Sequence, residues 1–139
     1  MDSISATMKV AASGLQAQSL RIRMTAENIA NANSTAAAAG GEPYARKTVV
    51  FESKFDRSFG AELVKIKRIG VDPSEFVEVY NPSHPGANAD GYVKMPNVNP
   101  LIEMTDMREA SRSYDANLNI IEQARSMAAN TLALLDRNG

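Results

Sequence analysis

Apolar residues recur at helical spacing near the N-terminal end of the chain. From position 4 to position 29, one row repeats every seven residues and consists of Met8, Leu15, Ile22 and Ile29. A neighbouring row begins with Ile4 and Ala11 and continues through the polar Gln18 and Thr25. Because sevenfold spacing keeps one stripe turned toward a partner helix, the pattern predicts a long helix with coiled-coil-like packing. The stripe is narrow and partly polar, so the helix needs a partner.

A second helix is predicted at the C-terminal end. Asn99 is suited to cap its start, and Pro100 occupies the first helical position, which tolerates a missing N–H. The helical pattern then continues from position 101 nearly to Gly139. One heptad row is Met107, Tyr114, Ile121, Ala128 and Leu135, and the adjacent row contains Met104, Leu118 and Leu132. This helix is the expected partner of the first.

The segment between the helices has a different texture. Residues 33–41 are small and turn-forming, which favours a flexible connection or surface loop. Short alternations then predict strands at Thr48–Glu52, Leu63–Ile69, Phe76–Tyr80 and Gly91–Met95, paired in a small antiparallel sheet or in hairpins. We therefore predict an α+β fold in three parts: an N-terminal helix at 1–33, a β-rich middle segment at 34–98 and a C-terminal helix at 99–139.

Composition and charge exclude several classes of function. The formal net charge of −1 over 139 residues provides no basic surface for nucleic acid. The chain has no cysteine, so disulfides, thiolate nucleophiles and cysteine metal ligands are absent. We find no cleavable secretory signal at the N-terminus and no apolar run long enough to span a bilayer.

Candidate catalytic groups are few. His84 is the single histidine and lies between two prolines in a turn-rich loop, which favours a structural role. Glu103, Asp106 and Glu109 share one side of the second helix, a pattern typical of a solvated or subunit-contacting surface. No phosphate-binding glycine motif occurs. We therefore expect no enzyme activity, no metal and no cofactor.

Polar residues beside the apolar stripes are better candidates for function. Asn28 and Asn31 stand at the end of the first helix, where they could cap it or bond across helices or subunits. Arg112, Tyr114 and Asn117 place polar groups near the stripe of the second helix. Buried polar groups of this kind can fix the register of helical assemblies.

Two segments carry a family resemblance. The first is Ala12-Ser13-Gly14-Leu15-Gln16-Ala17 with Asn28-Ile29-Ala30-Asn31-Ala32-Asn33-Ser34-Thr35. The second runs from Gly91-Tyr92-Val93-Lys94-Met95-Pro96-Asn97 to Glu109-Ala110-Ser111-Arg112-Ser113-Tyr114-Asp115-Ala116-Asn117. The segments occur along the chain in the order found in bacterial flagellar rod and hook axial proteins, and the resemblance to these proteins extends over nearly the whole chain. Within this family the chain resembles the proximal rod proteins of the basal body.

The resemblance implies a structural subunit that polymerises helically through its terminal helices, transmits torque and lines the export channel. Its partners would be itself, other rod proteins and the export-gate and MS-ring junction proteins. It would lie in the rod within the periplasmic space, after export through the flagellar type III apparatus without a cleaved signal. The residues expected to make assembly contacts are Met8, Leu15, Ile22, Asn28, Ile29, Asn31, Met107, Arg112, Tyr114, Asn117, Leu118, Ile121, Leu132 and Leu135.

Two alternatives stay open at the level of sequence. One is another axial subunit of the same export system, of the distal rod or hook type, although the short middle segment disfavours it. The other is a small helical enzyme or regulator, although no residue or motif in the sequence supports it.

Overall fold

The computed structural model describes residues 2–137. Met1, Asn138 and Gly139, which belong to the predicted terminal segments, lie outside the described residues. The elements in chain order are α1 (Asp2–Ala30), β1 (Lys47–Asp56), β2 (Ala61–Val71), β3 (Val77–Tyr80), β4 (Tyr92–Met95) and α2 (Pro100–Arg137). The α+β class with long terminal helices and a small β-rich middle is confirmed.

The two helices pack against each other in antiparallel orientation. Near one end of the pair Asn28 of α1 contacts Glu103 of α2, and farther along Gly14 lies against Asn117. The start of α2 follows the predicted cap, because the Asn99 Oδ1 accepts a hydrogen bond from the backbone N–H of Leu101 at 3.1 Å. Helices α1 and α2 therefore pack together, as the heptad patterns predicted.

The deepest part of the helix contact is made by small and polar residues. On α1 the buried residues are Ala11, Ser13, Gly14, Ala17, Met24, Thr25 and Asn28, and on α2 they are Glu103, Ala110 and Ala124. We call this contact between α1 and α2 the helix seam. The larger residues of the predicted α1 heptad row are only half-buried. Gly14 has no Cβ, so the Asn117 side chain of α2 packs directly over its backbone, and a larger side chain at position 14 would collide with it.

The middle segment forms two separate hairpins. Strands β1 and β2 pair antiparallel with an irregularity between Val50 and Phe51, and β3 pairs with β4. Both strands of the first hairpin are longer than predicted, and its loop uses Gly60 at a φ of 62°. Within β2 the side chain of Leu63 is buried, whereas Val64 and Ile66 are exposed.

Helix α1 occupies the centre of the fold, in contact with α2 on one side and with the first hairpin on another. One direct link is the Ser13 Oγ, which accepts a hydrogen bond from the backbone N–H of Val64 at 3.1 Å. Within residues 2–137, neither helix is both long and apolar enough to cross a membrane. The arrangement brings the end of α1, the start of α2 and the base of the first hairpin to one place.

Candidate assembly site

Four side chains meet where α1, α2 and the first hairpin converge, and we call this cluster the polar junction. It consists of Asn28 on α1, Tyr44 and Arg46 just before β1, and Glu103 in the first turns of α2. Asn28 is 1% exposed and Glu103 is 0% exposed. Buried polar groups are costly unless they are hydrogen-bonded, so their partners decide whether the junction stabilises the fold.

The Asn28 amide uses its full hydrogen-bonding capacity. Its Nδ2 donates to the backbone carbonyl of Lys47 at 2.9 Å and to the Glu103 Oε2 at 3.2 Å. Its Oδ1 accepts from the Tyr44 hydroxyl at 2.8 Å and from the backbone N–H of Lys47 at 2.8 Å. An amide has two donor hydrogens and two acceptor lone pairs, so every one has a partner. Asn28 thus joins the outer edge of β1 to both helices.

Glu103 forms an ion pair with Arg46 in the same cluster. The Arg46 Nε donates to the Glu103 Oε1 in a short contact, and its other nitrogens lie 3.3 Å from Asp72 and 3.8 Å from Asp106. The prediction that Glu103 belongs to a solvated or subunit-contacting surface is therefore wrong. The spacing along α2 grouped Glu103 with Asp106 and Glu109. In the structure Glu103 is buried, because it pairs with Arg46, which is distant in sequence.

The loop that precedes α2 is hydrogen-bonded to residues at and beside the polar junction. The Asn97 Oδ1 accepts from the backbone N–H of Arg46 at 2.7 Å, and its Nδ2 donates to the carbonyls of Asp72 and Ser74, each at 3.1 Å. Residues on both sides of the first hairpin are thereby held beside the start of α2. The roles of Arg46 and Asn97 could not be predicted from local sequence patterns, because their partners are far away along the chain.

Carboxylates around the junction have lowered pKa values. Hydrogen bonds from Ser74 lower the pKa of Asp72, and Arg46 adds to the effect. At the neighbouring contact, the hydrogen bond from Lys47 to Glu27, at 2.8 Å, lowers the pKa of the carboxyl and raises that of the amine. All of these contacts favour the charged forms.

We expect the chain to lose stability in acid. A carboxyl with a lowered folded pKa contributes stability above its unfolded value, and this is lost as the pH falls through the folded pKa. The free energy of unfolding should therefore decline as the pH falls below about 5 and through the lowered pKa values of the folded chain. Urea titrations at several pH values would measure it. Asp72→Asn should flatten the decline, and an equally steep decline in that variant would contradict this interpretation.

Two polar residues noted in the sequence have local roles. The Asn31 Nδ2 donates to the carbonyl of Glu27 at 2.9 Å, so this residue closes the end of α1. No non-glycine residue within 2–137 has a positive φ, so this end does not use the left-handed conformation that asparagine tolerates. His84 accepts from the backbone N–H of Gly86 at 2.9 Å through Nδ1 and contacts the Thr35 hydroxyl through Nε2. It therefore holds a loop together, as predicted.

The predicted assembly residues fall into three groups by exposure. Asn28 alone is buried. Those that are half-buried are Met8, Leu15, Ile22, Ile29, Asn31, Met107, Tyr114, Asn117 and Ile121. Those that are exposed are Arg112, Leu118, Leu132 and Leu135. The structure brings Asn28 and Asn117 into the helix seam, whereas the exposed leucines have a large apolar surface open to a partner.

The last part of α2 extends beyond α1. The seam places Gly14 against Asn117 and Asn28 against Glu103, so the start of α1 lies near position 129 of α2. Residues 131–137, which we call the overhang, therefore have no part of α1 opposite them. Leu132, Leu134 and Leu135 in the overhang are 52%, 60% and 65% exposed. Three exposed leucines in two helical turns are typical of an interface rather than of a free surface.

The same residues offer little for catalysis. Across residues 2–137, no group of three or more histidine, cysteine or acidic side chains is arranged to hold a metal ion. The carboxylates of the junction are each paired with a cation or a hydroxyl, which leaves them poorly placed as a general acid or base. The geometry is suited to holding helices and a hairpin together.

Comparison with known proteins agrees with this description. Residues 8–37 match a family model described as flagella basal body rod protein, and residues 89–134 match the C-terminal model of the flagellar basal body rod FlgEFG proteins. These two matches cover most of α1 and most of α2. The parts of the chain that form the helix seam are therefore the parts that the family models describe.

Full-length relatives are also similar to this chain. The flagellar basal-body rod protein FlgC of Agrobacterium fabrum is 56% identical over 135 residues, covering 97% of each chain. FlgC of Salmonella typhimurium is 42% identical, covering 90% of this chain and 92% of its own length. FlgC of Bacillus subtilis is 38% identical, covering 92% and 95%. With terminal helices joined in a seam and this similarity from end to end, the chain belongs to the FlgC family of flagellar basal-body rod proteins, which are structural subunits of the rod.

Proposed function

We propose that the chain polymerises helically as a proximal rod subunit, with α1 and α2 forming the inner, channel-lining layer. The observation that carries this proposal is the exposed apolar overhang of α2. In a free chain its leucines face water, and burial of a leucine side chain is worth about 1.5–3 kcal/mol. A neighbouring subunit that covers Leu132, Leu134 and Leu135 would recover much of that free energy.

The half-buried heptad residues extend the same surface along the helix pair. Leu15 and Tyr114 line one shallow groove together with Leu20 and Arg23. Their partial exposure leaves apolar area available to a further helix while α1 and α2 stay paired. We therefore assign to them the role that the heptad pattern suggested, as contacts between subunits. Coiled-coil-like layers of this kind resist twisting because each helix is held by several neighbours, which suits the transmission of torque.

Partners and location follow from the proposed polymer. The neighbours would be further copies of this chain, other rod proteins, and the export-gate and MS-ring proteins at the base of the rod. The subunit would lie in the basal body within the periplasmic space, after export without a cleaved signal. Family membership supports the rod proteins as partners, and the rest is our proposal.

Leu132→Asp combined with Leu135→Asp tests the role of the overhang. Both positions are exposed, so the free chain should keep its thermal stability within about 0.5 kcal/mol. In the polymer each substitution would bury an unpaired carboxylate, so assembly should fail. The measurement is swimming in soft agar by a strain that lacks the chromosomal copy, with basal bodies inspected for rods.

Asn130→Asp combined with Ala133→Asp is the matched control, because it adds the same two charges in the same helical turns at exposed positions that are not large apolar residues. It should swim better than the leucine variant. Normal swimming and normal rods in the leucine variant would show that the overhang is not part of the interface between subunits.

A further inference from the structure

The register between α1 and α2 is not set by the apolar residues of the helix seam. In the observed register, residues at sevenfold spacing form layers, with Gly14 on Asn117 and Asn28 on Glu103. Because the rows repeat every seven residues, α2 could slide by one heptad and still present a row to α1. Such a slip would move α2 by about 10 Å along its axis.

Helix length does not exclude a slip in one direction. Helix α1 covers Asp2–Ala30, and in the observed register it faces approximately residues 101–129 of α2. After a slip by one heptad it would face approximately residues 108–136, which still lie within α2. The overlap would be as long as before. A slip in the opposite direction would carry the end of α1 past Pro100 and shorten the overlap.

Side-chain size does not exclude this slip either. Gly14 would face Ala124 instead of Asn117, and Asn28 would face Ala110 instead of Glu103, so each contact would be made by a smaller side chain and none would clash. The start of α1 would now cover the overhang and bury some of its leucine surface. Burial of that leucine surface would be a hydrophobic gain of the slipped register.

The polar junction is what the slip would destroy. Glu103 would leave the Asn28 amide, and the Arg46 guanidinium would lose its buried carboxylate. Breaking a buried ion pair by removing one partner is strongly destabilising, because a desolvated charge or donor is left behind. Arg46 and Asn28 stay with the first hairpin and the end of α1, so Glu103 moves away with α2. The slip would also separate Arg21 of α1 from Asp106 and Glu109, but these pairs are partly exposed and contribute less.

We propose that Glu103, Arg46 and Asn28 act as a register lock, which selects one of two registers that the helix seam would otherwise accept. They are positioning residues: they set how far α2 extends beyond α1 and therefore keep the overhang exposed. A polar contact that is neutral for stability can still choose between competing registers. The lock operates within one chain and does not depend on the rod being the final assembly.

The absence of cysteine from the sequence makes the register measurable by cross-linking. Ala11→Cys with Ile120→Cys reports the observed register, since both residues line one pocket of the seam. Ala11→Cys with Met127→Cys reports the register slipped by one heptad. Each pair is introduced into the full chain, which is treated at low concentration with a short thiol-reactive cross-linker. The yield of the intramolecular product is then compared between pairs.

In the otherwise unchanged chain, the 11/120 pair should cross-link at least about tenfold more than the 11/127 pair, as expected for a preference above 1.4 kcal/mol. In an Arg46→Met/Glu103→Leu background, which replaces the ion pair by apolar side chains, the 11/127 yield should rise to a similar level. A matched control is Glu42→Gln/Lys94→Met, which removes an exposed ion pair elsewhere and should leave the ratio unchanged.

Helical circular dichroism is recorded for each variant. If the double variant loses its helices, the ratio is read in Glu103→Leu alone, where Arg46 keeps Asp72 as a partner. A helical variant that still cross-links only through the 11/120 pair would overturn the proposal and assign the register to the remaining polar contacts, those of Arg21 with α2 and those of Asn97. Loss of helices in both variants would also overturn it, because the junction would then hold the fold together rather than select its register.

Discussion

Asn28→Asp is expected to lower the free energy of unfolding by about 3–5 kcal/mol, a large share of the total stability of a chain of this size. The substitution keeps the shape of the side chain but replaces a donor by a second carboxylate oxygen. The contacts to the Lys47 carbonyl and to Glu103 then change from hydrogen bonds into repulsion between acceptors. Burial prevents water from screening this repulsion, since Asn28 is 1% exposed.

Thermal denaturation followed by circular dichroism would measure the effect, with an expected fall in Tm of about 10 °C or more. Asn31→Asp is the matched control, because it makes the same chemical change three residues later at the half-buried end of α1. There the amide donates to a single carbonyl, so the loss should be about 1 kcal/mol. Equal effects at the two positions would mean that the polar junction has no special role.

Gly14→Leu is expected to separate the helices and lower the stability by about 3 kcal/mol. A Cβ at position 14 would lie 2.7 Å from the Asn117 Nδ2 and 3.0 Å from its Cγ, which is closer than van der Waals contact allows. A leucine would add three more carbons in the same direction. Urea unfolding would measure the loss of stability. The helical content should also fall, because the ends of both helices should become less helical.

A second substitution shows whether the contact with Asn117 is the cause. Gly14→Ala should be mildly destabilising, because the gain of about 1 kcal/mol in helix propensity is opposed by the close contact. Combining Gly14→Ala with Asn117→Ala removes the opposing side chain and should recover that propensity gain. An equal response to Gly14→Ala with and without Asn117 would show that the Asn117 side chain does not pack against Gly14.

The sequence was sufficient to predict the helices and their pairing because both patterns are periodic over many turns. The cap at Asn99 and the first position at Pro100 followed from local chemistry and were confirmed. The strands were found, but their ends were not, since pairing across a hairpin extends both strands together. These features depend on residues that are near one another in sequence.

The polar junction could not be predicted in the same way. Arg46 lies in a stretch without periodicity, and its partner Glu103 stands 57 residues later in a row of carboxylates that appeared solvated. Only the folded chain brings the two together. Asn28 was identified as a candidate because it stands at the end of the first helix, and its bond to α2 fits one of the two roles considered. Its contacts with the hairpin were not foreseen.

The large apolar residues also departed from a simple coiled-coil interpretation. Heptad rows usually meet at the centre of a helix pair, but here the small residues Gly14, Ala110 and Ala124 are buried while the large members of those rows are not. The half-buried and exposed members of those rows remain available to other subunits. We therefore interpret the heptad pattern as specifying contacts in the proposed polymer as well as contacts within the single chain.

We expect the overhang of α2 to become buried between subunits in the rod. The most direct measurement is the reactivity of a single Leu135→Cys variant toward a bulky maleimide, in the free chain and in purified basal bodies. The chain has no other cysteine to confuse the result. We predict that assembly slows the modification at least about tenfold, in line with loss of most of the exposed surface. Equal rates in the free chain and in intact rods would contradict the account.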